Sequence, residues 1–392
     1  MFSVASRGSS DDTLDRLLKE ALAELDGPPS FILCGASVSV DVSALQSSLD
    51  GSVPFHGATS CLGVMTQEAA FIGNAKGAGV IAISDPDGAY GSAIVPVEGD
   101  DVEAAAEQAL FQALGQTQRP GETPEMIWLS ATPGIEERVI ASIHAAMGVG
   151  VPICGGSSAD NTVSGQWRVF DRETSWNTGI ALTVMFPSVP LGYAFHSGYR
   201  PTATKGRVTS SEGRQILAID GQPGAEVYNQ WTGGRIESAL ADGGSVIAST
   251  SLAPLGRRRD AVAGFDYFLL SHPEAVSSDG GLALFSNIEI GDEIVLMEGD
   301  EDNLVQRAAR VAENALEMAR LEKESIAGAL VIYCAGCMLT VQDRMPEVAE
   351  GLRSVLGDKP FLGSFTFGEQ GCFIGGSNHH GNLMISVVVF GG

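Results

Sequence analysis

The chain has 392 residues, 44% of them hydrophobic and 18% charged, and its 48 acidic against 23 basic side chains leave a net charge of −25. That length exceeds what one hydrophobic core usually serves, so two domains are expected, and so acidic a surface repels nucleic acid and anionic lipid. No run of 18 apolar residues is present, Met1–Ser10 lacks a charged segment followed by an apolar one, and six Cys are too sparse for a disulfide scaffold; these features read as a reduced, cytoplasmic chain with no membrane span.

In chain order, residues 11–25 predict an amphipathic helix, with Leu14, Leu17, Leu18, Leu22 and Leu25 at helical spacing. A strand over Phe31–Cys34 follows, and with it begins a plan that recurs. PFHGATS at Pro54–Ser60, PICGGSS at Pro152–Ser158 and PFLGSFT at Pro360–Thr366 are each P-x-x-G followed by small or hydroxyl residues. Apolar strands over Phe31–Cys34, Met126–Ser130 and Ala329–Tyr333 precede them, each followed by a helix-like stretch. Apolar strands introduced by Gly77, Gly179 and Gly381 come after. The expected fold is therefore α/β: two domains with mixed sheets built from repeated strand–helix–strand–strand units, each sheet partly antiparallel.

Between the second and third repeats, Gly192–Glu324 carries further strand signals and a helix over Asp302–Leu321. Its apolar stripe is Leu304, Ala308, Val311, Ala315 and Met318, and Asp300 or Asp302 suits its cap. The boundary is expected near residue 220. Residues 1–28 would then hold the N-terminal helix, 29–220 one domain and 221–392 the other, with Ser210–Gly221 carrying the chain between them. Arg257-Arg258-Arg259 follows Pro254 and Gly256 and reads as a loop, either solvated or an anion or partner site.

Several familiar chemistries are excluded. There is no G-x-x-x-x-G-K-[ST] loop, no G-x-G-x-x-G between a strand and a helix, and no G-x-S-x-G elbow. The hydroxyl-rich turns offer a candidate ligand set: Thr59, Ser60 and Cys61, then Ser157, Ser158, Asp160 and Asn161, then Thr366 and Glu369. These side chains either line a shared cleft or serve turn chemistry alone. Cys334-Ala335-Gly336-Cys337 is a C-x-x-C after a strand: a redox pair, half a zinc site with Cys372, His379 or His380, or two core thiols. His144 falls in a helix, His272 in a loop, and His379-His380 in an exposed Gly/Asn turn. His196 differs, because LGYAFHSGYRP (Leu191–Pro201) surrounds it with apolar and aromatic residues. It reads as a structural imidazole or as a metal ligand, haem iron included, with Tyr199 beside it and Arg200 to pair with a propionate. Asp160, Asp220 and Glu369 lack an evident acid–base partner, and Cys61, Cys154 and Cys372 lack an activating base, so enzyme activity is not expected.

Five segments carry a family resemblance: CGGSSADN (Cys154–Asn161), Gly198–Pro201, RVTSSEGRQILAIDGQPGAEVY (Arg207–Tyr228), Tyr333–Cys337 and PFLGSFTFGEQG (Pro360–Gly371). Together they resemble the FIST family, with 29–220 similar to its N-terminal and 221–392 to its C-terminal domain. The resemblance implies a sensor of small ligands, amino acids among them, that feeds kinases or cyclic-dinucleotide enzymes. A stand-alone chain of this length resembles the bacterial nitric-oxide-sensing FIST haemoproteins. That likeness implies non-covalent haem b, His196 as iron ligand, and regulation of a partner histidine kinase or other signalling protein, with homo-oligomerisation open. Cys337 departs from the Arg that many members carry there. The expectation is a cytoplasmic signal-transduction sensor. The alternatives are a haem-free sensor of a small organic ligand such as an amino acid, and a thiol-dependent hydrolase.

Overall fold

The repeat extends further toward the N-terminus than the P-x-x-G segments reveal. In the computed structural model, which describes residues 1–11, 14–42, 45, 51–148, 150–262, 265–373 and 375–392, each unit opens with an extra strand and helix. The second unit shows the whole plan: strand Ala89–Pro96, helix Val102–Gln116, strand Met126–Ala131, helix Glu136–Met147, P-x-x-G strand Ile153–Gly156 and closing strand Gly179–Phe186. The first runs Ser3–Ser9, helix Leu14–Ala23, Phe31–Ala36, Phe55–Thr59 and Ala78–Ser84. The third runs Leu191–Ser197, helix Glu301–Ala319, Ile326–Cys334, helix Met345–Leu356, Phe361–Thr366 and Met384–Gly391.

Each unit forms the core of one mixed sheet, ordered opening, closing, second and P-x-x-G strand. The second and P-x-x-G strands are parallel, and the other two pairings are antiparallel. The register repeats as well. Pro54, Pro152 and Pro360 accept from the amides of Ile32 (3.0 Å), Ile127 (2.9 Å) and Ala329 (3.0 Å). Proline fits at the start of a strand, where its carbonyl joins the ladder and its missing N–H is not needed.

Strand residues alternate between two cores. Phe31, Leu33, Ile81, Trp128, Met185, Leu330, Ile332 and Val388 from all three sheets form one central cluster. The intervening residues face the helices: Ile32 and Val80 meet Leu14 and Leu17, Leu129 and Leu182 meet Leu110 and Val139, and Val331 and Val387 meet Val311 and Leu352. Burial on both faces explains why these strands read as unbroken apolar runs. Three sheets thus surround one core, with helices outside.

Residues 200–298 form a module inserted between the opening strand and first helix of the third unit, with its own core around Ile216, Tyr228, Val276 and Ile294. Ser210–Gly221 falls in a hairpin of this module, formed by Arg200–Glu212 and Gln215–Ile219. The three arginines are not in a loop either: they lie on strand Leu255–Val262, where Arg257 is buried and donates to the Asn287 carbonyl, while Arg258 pairs with Asp266. A strand whose charged residues are satisfied by neighbouring backbone carries no apolar signature. On the Glu301–Ala319 helix, Asp300 caps Asn303 N at 2.8 Å, and Leu304, Ala308, Val311 and Ala315 are buried. Met318 is exposed, and Leu316 takes the inward position.

Candidate functional site

The three hydroxyl turns converge. Cys61 N donates to Phe365 O (2.9 Å), Ala159 N to Thr59 O (2.8 Å) and Phe367 N to Ser157 O (3.4 Å). Donors and acceptors hold equivalent positions in the three units, so the bonds form a ring in which each turn holds the next.

The side chains of these turns hold the turns together. Thr59 Oγ1 accepts from Arg168 N (2.8 Å), and Ser60 Oγ accepts from Phe365 N (2.7 Å) and donates to Gly63 O. Cys61 is fully buried, and burial, then Asp160 and Cys334, push its thiol up to about 12. Ser158 Oγ reaches Ala131 O, and the Asp160 carboxylate accepts from the amides of Thr162, Ser164 and Gln166. Asn161 accepts from Leu62 N (2.7 Å) and donates to Ser37 Oγ. Thr366 Oγ1 donates to Glu369 Oε1 (2.9 Å), whose other oxygen accepts from Met384 N (2.9 Å). These nine residues, expected as ligand contacts, are bonded to the backbone and side chains around their own turns, and none lines the cleft beside them. Buried hydroxyls and carboxylates need partners, and at this junction the nearest partners are the other units' backbones.

That cleft, about 310 Å³, lies where the inserted module meets the turns. Trp167 and Phe367 form one wall, edge to face at 6.0 Å, and Phe285 and Leu284 of the module form another. Arg214, Glu212 and Glu274 supply the charge. Behind Arg214 stands a buried polar network. Arg214 Nη2 lies 2.6 Å from both Glu136 and Glu137, at the first turn of helix Glu136–Met147. Ser157 Oγ donates to Glu136 Oε1 (2.7 Å) and accepts from Gln370 Nε2 (3.1 Å), which also contacts His380 Nδ1. Asn287 N donates to Glu137 Oε1 (2.7 Å), and Arg214 Nε donates to Asn287 Oδ1 (3.2 Å). Burial pushes the Glu136 carboxyl up, but His380, Arg214 and the Ser157 hydrogen bond outweigh it and hold the group well below the usual carboxylate range. Glu136, Glu137 and His380 place ligand atoms within 4.8 Å of one another, but the Arg214 guanidinium already supplies the cation there.

Arg214 Nη1 has no partner among the described residues. Glu274 makes no side-chain hydrogen bond among the described residues; burial raises its carboxyl above the ordinary value, and the nearby Arg214 guanidinium offsets this only in part. The site is thus an aromatic pocket with one free guanidinium edge and, near it, a carboxylate held by no hydrogen bond. Sequence reasoning missed all of it. Glu136-Glu137 looks like helix-start charge, and Arg214 and Phe285 reach the turns only because the module folds back.

Residues 30–222 match the FIST N domain and residues 224–372 the FIST C domain. The chain belongs to the FIST family. FIST domains are sensory domains of signal transduction that bind small ligands. No curated protein matches this FIST chain in sequence. A solved structure titled "Crystal structure of cyanuic acid hydrolase from A. caulinodans" aligns over 99% of each chain at 12% identity, with a TM-score of 0.38, too low to bear on function. No helix among the described residues is long and apolar enough to cross a membrane.

Of the residues expected to hold haem, His196 and Tyr199 line one cavity of about 280 Å³. Tyr199 is buried, its hydroxyl given to Ser251 O (2.6 Å), and Arg200 is exposed and pairs with Asp300. His379-His380 is not an exposed turn: it lies on strand Asn378–Gly381, with His380 2% exposed. His272 is buried too, its Nε2 3.2 Å from Ile247 O. All six Cys are buried and free, Cys334 and Cys337 among them.

Proposed function

We propose that this protein is a small-ligand sensor and not an enzyme, and that its ligand is a zwitterion of amino-acid size held in the cleft between the inserted module and the hydroxyl turns. The observation that carries this reading is the pairing of unpaired charges in one pocket. Glu274 makes no hydrogen bond to a cation and feels Arg214 only at longer range, while Arg214 keeps a free guanidinium edge, beside an aromatic wall. An ammonium group would neutralise Glu274, a carboxylate would take the Arg214 edge, and an apolar side chain would lie on Trp167, Phe285 and Phe367. The volume suits such a molecule, being near the lower limit of about 300–1,000 Å³ for small-molecule pockets.

The cleft is bounded on one side by the module and on the other by the repeats, so a ligand touching both favours their docked arrangement. That supplies a route from ligand to surface change. The recipient of the signal, on the strength of the family resemblance, is a histidine kinase or other signalling protein in the cytoplasm. The sensing reading is further supported by the burial of every thiol, which leaves no ready nucleophile.

The test is thermal stabilisation of the full chain by each of the common amino acids, followed by titration of any that bind. Glu274→Gln and Trp167→Ala should each abolish a saturable shift. If no amino acid stabilises the protein, or Glu274→Gln binds as tightly as the native chain, the reading fails.

A further inference from the structure

A second cavity opens elsewhere on the contact between module and repeats. It is about 280 Å³ and is lined by His196 and Met384 of the third unit, Tyr267, Phe268 and Met297 of the module, and Phe373. Its walls are aromatic and thioether. Tyr267 and Phe373 lie 5.3 Å apart at 44°, and Phe195 backs Phe373 at 5.2 Å. Tilted rings at these spacings, with two Met side chains between them, form a surface that accepts the face or edge of another ring.

One polar atom of His196 is free. His196 Nδ1 accepts the Ser197 backbone N–H at 2.8 Å. Ser197 O also lies 3.0 Å from Nδ1, but the amide is a fixed donor and decides the tautomer. The ring proton therefore sits on Nε2, which has no partner among the described residues. Burial, then Arg307, lowers the imidazole to about 4, so it is neutral at physiological pH and donates without charge. Two further polar groups of the wall are committed: Tyr199 gives its hydroxyl to Ser251 O, and Asp266 pairs with Arg258 at 2.6 Å, which leaves the Tyr267 hydroxyl beside His196 as a second contact for a polar ring substituent.

We propose that this cavity is a second ligand site, for a neutral planar aromatic or heteroaromatic molecule of one or two rings whose ring nitrogen or carbonyl oxygen accepts the His196 Nε2–H. Size sets the ring count: an apolar cavity of about 150 Å³ holds benzene, so about twice that volume holds a fused pair. Charge sets the neutrality. The one carboxylate of the wall, Asp266, already pairs with Arg258, a neutral imidazole holds an anion poorly, and Arg307, which acts on His196 from nearby, is not among the lining residues. The site is distinct from the zwitterion cleft, sharing none of its lining residues.

The experiment uses the full chain and two probes of similar size: quinoline, which carries an acceptor nitrogen, and indole, which carries a donor N–H instead. Quinoline should stabilise the protein saturably and shift the His196 imidazole resonances in histidine-resolved NMR. His196→Phe keeps an aromatic side chain there but removes the donor. It should weaken quinoline about fivefold to tenfold, the net worth of one hydrogen bond, and leave indole within about twofold. Because the NMR shift is read on the native chain, it stands even if the variant folds poorly. Absence of any saturable quinoline shift at His196, or equal quinoline affinity in native and His196→Phe protein, overturns the assignment. Neither outcome depends on Glu274, so it is separable from failure of the cleft.

Discussion

Arg214 of the inserted module and Glu136 of the second unit meet at 2.6 Å, with the carboxylate 1% exposed. Their contact ties the module to the repeats at the back of the candidate cleft. Removing the guanidinium leaves a buried carboxylate without its cation, which typically costs about 3–5 kcal/mol. Arg214→Ala should lower the denaturant midpoint accordingly, and Arg214→Lys should restore part of the loss. Chemical unfolding of both variants measures it, and an unchanged midpoint for Arg214→Ala would show the pair to be dispensable.

The same carboxylate predicts acid sensitivity. Its folded pKa lies below the ordinary 4.5, so its contribution is present above that value and is lost as pH falls beneath it. Buried imidazoles act in the same direction from higher pH. Burial lowers His56 to about 3 and His272 to about 4, both from 6.5, so unfolding takes up protons that the native state refuses. The contribution of these groups should be full above about pH 6.5 and decline steadily below it, opposed in part by Glu369, whose burial raises its carboxyl. His272→Gln should flatten the decline between pH 6.5 and 4, as read by urea unfolding at stepped pH.

The glycines of the three P-x-x-G motifs should differ in cost when replaced. Gly155 has φ +148°, and a Cβ there would collide with the Leu129 carbonyl of the neighbouring strand. Gly363 has no such dihedral, and its Cβ would crowd the buried Met65 side chain, not backbone. Gly155→Ala should cost more than about 2 kcal/mol, strain and backbone clash adding together. Gly363→Ala should cost well under half of that. Thermal unfolding of the two variants decides it, and equal costs would contradict the geometry.

Thiol reactivity offers another check. Burial pushes Cys154 up to about 12, as it does Cys61. Native protein at neutral pH should resist maleimide for hours, whereas denatured protein should label all six Cys at once. Rapid native labelling of any Cys would revive a thiol-based activity.

Supplied haem should give no Soret band that depends on His196. Arg200, expected to pair with a propionate, is engaged with Asp300 instead. A band abolished by His196→Ala would restore the haem reading.

The repeat was legible because its signals are local. Pro opens the strand, Gly follows at a fixed offset, and a strand buried on both faces must be apolar throughout. The helix over Glu301–Ala319 was legible for the same reason, through its stripe and its Asp300 cap. The cleft was not. Glu136, Arg214, Glu274 and Phe285 are far apart in the chain and have no shared pattern, and each resembles an ordinary surface or strand residue until the module packs.

The amino-acid sequence by itself determined the three repeated units, the mixed α/β character and the family, since each follows from periodicity and short motifs within a few dozen residues. Only the tertiary structure decided what the hydroxyl turns do. Three units closing on one core bring those turns into contact, and buried polar groups pair with whatever is nearest. So Ser60 bonds across the junction to Phe365, Asp160 and Thr366 fix their own turns, and the charges of Arg214 and Glu274 meet beside it through long-range packing that no local pattern encodes.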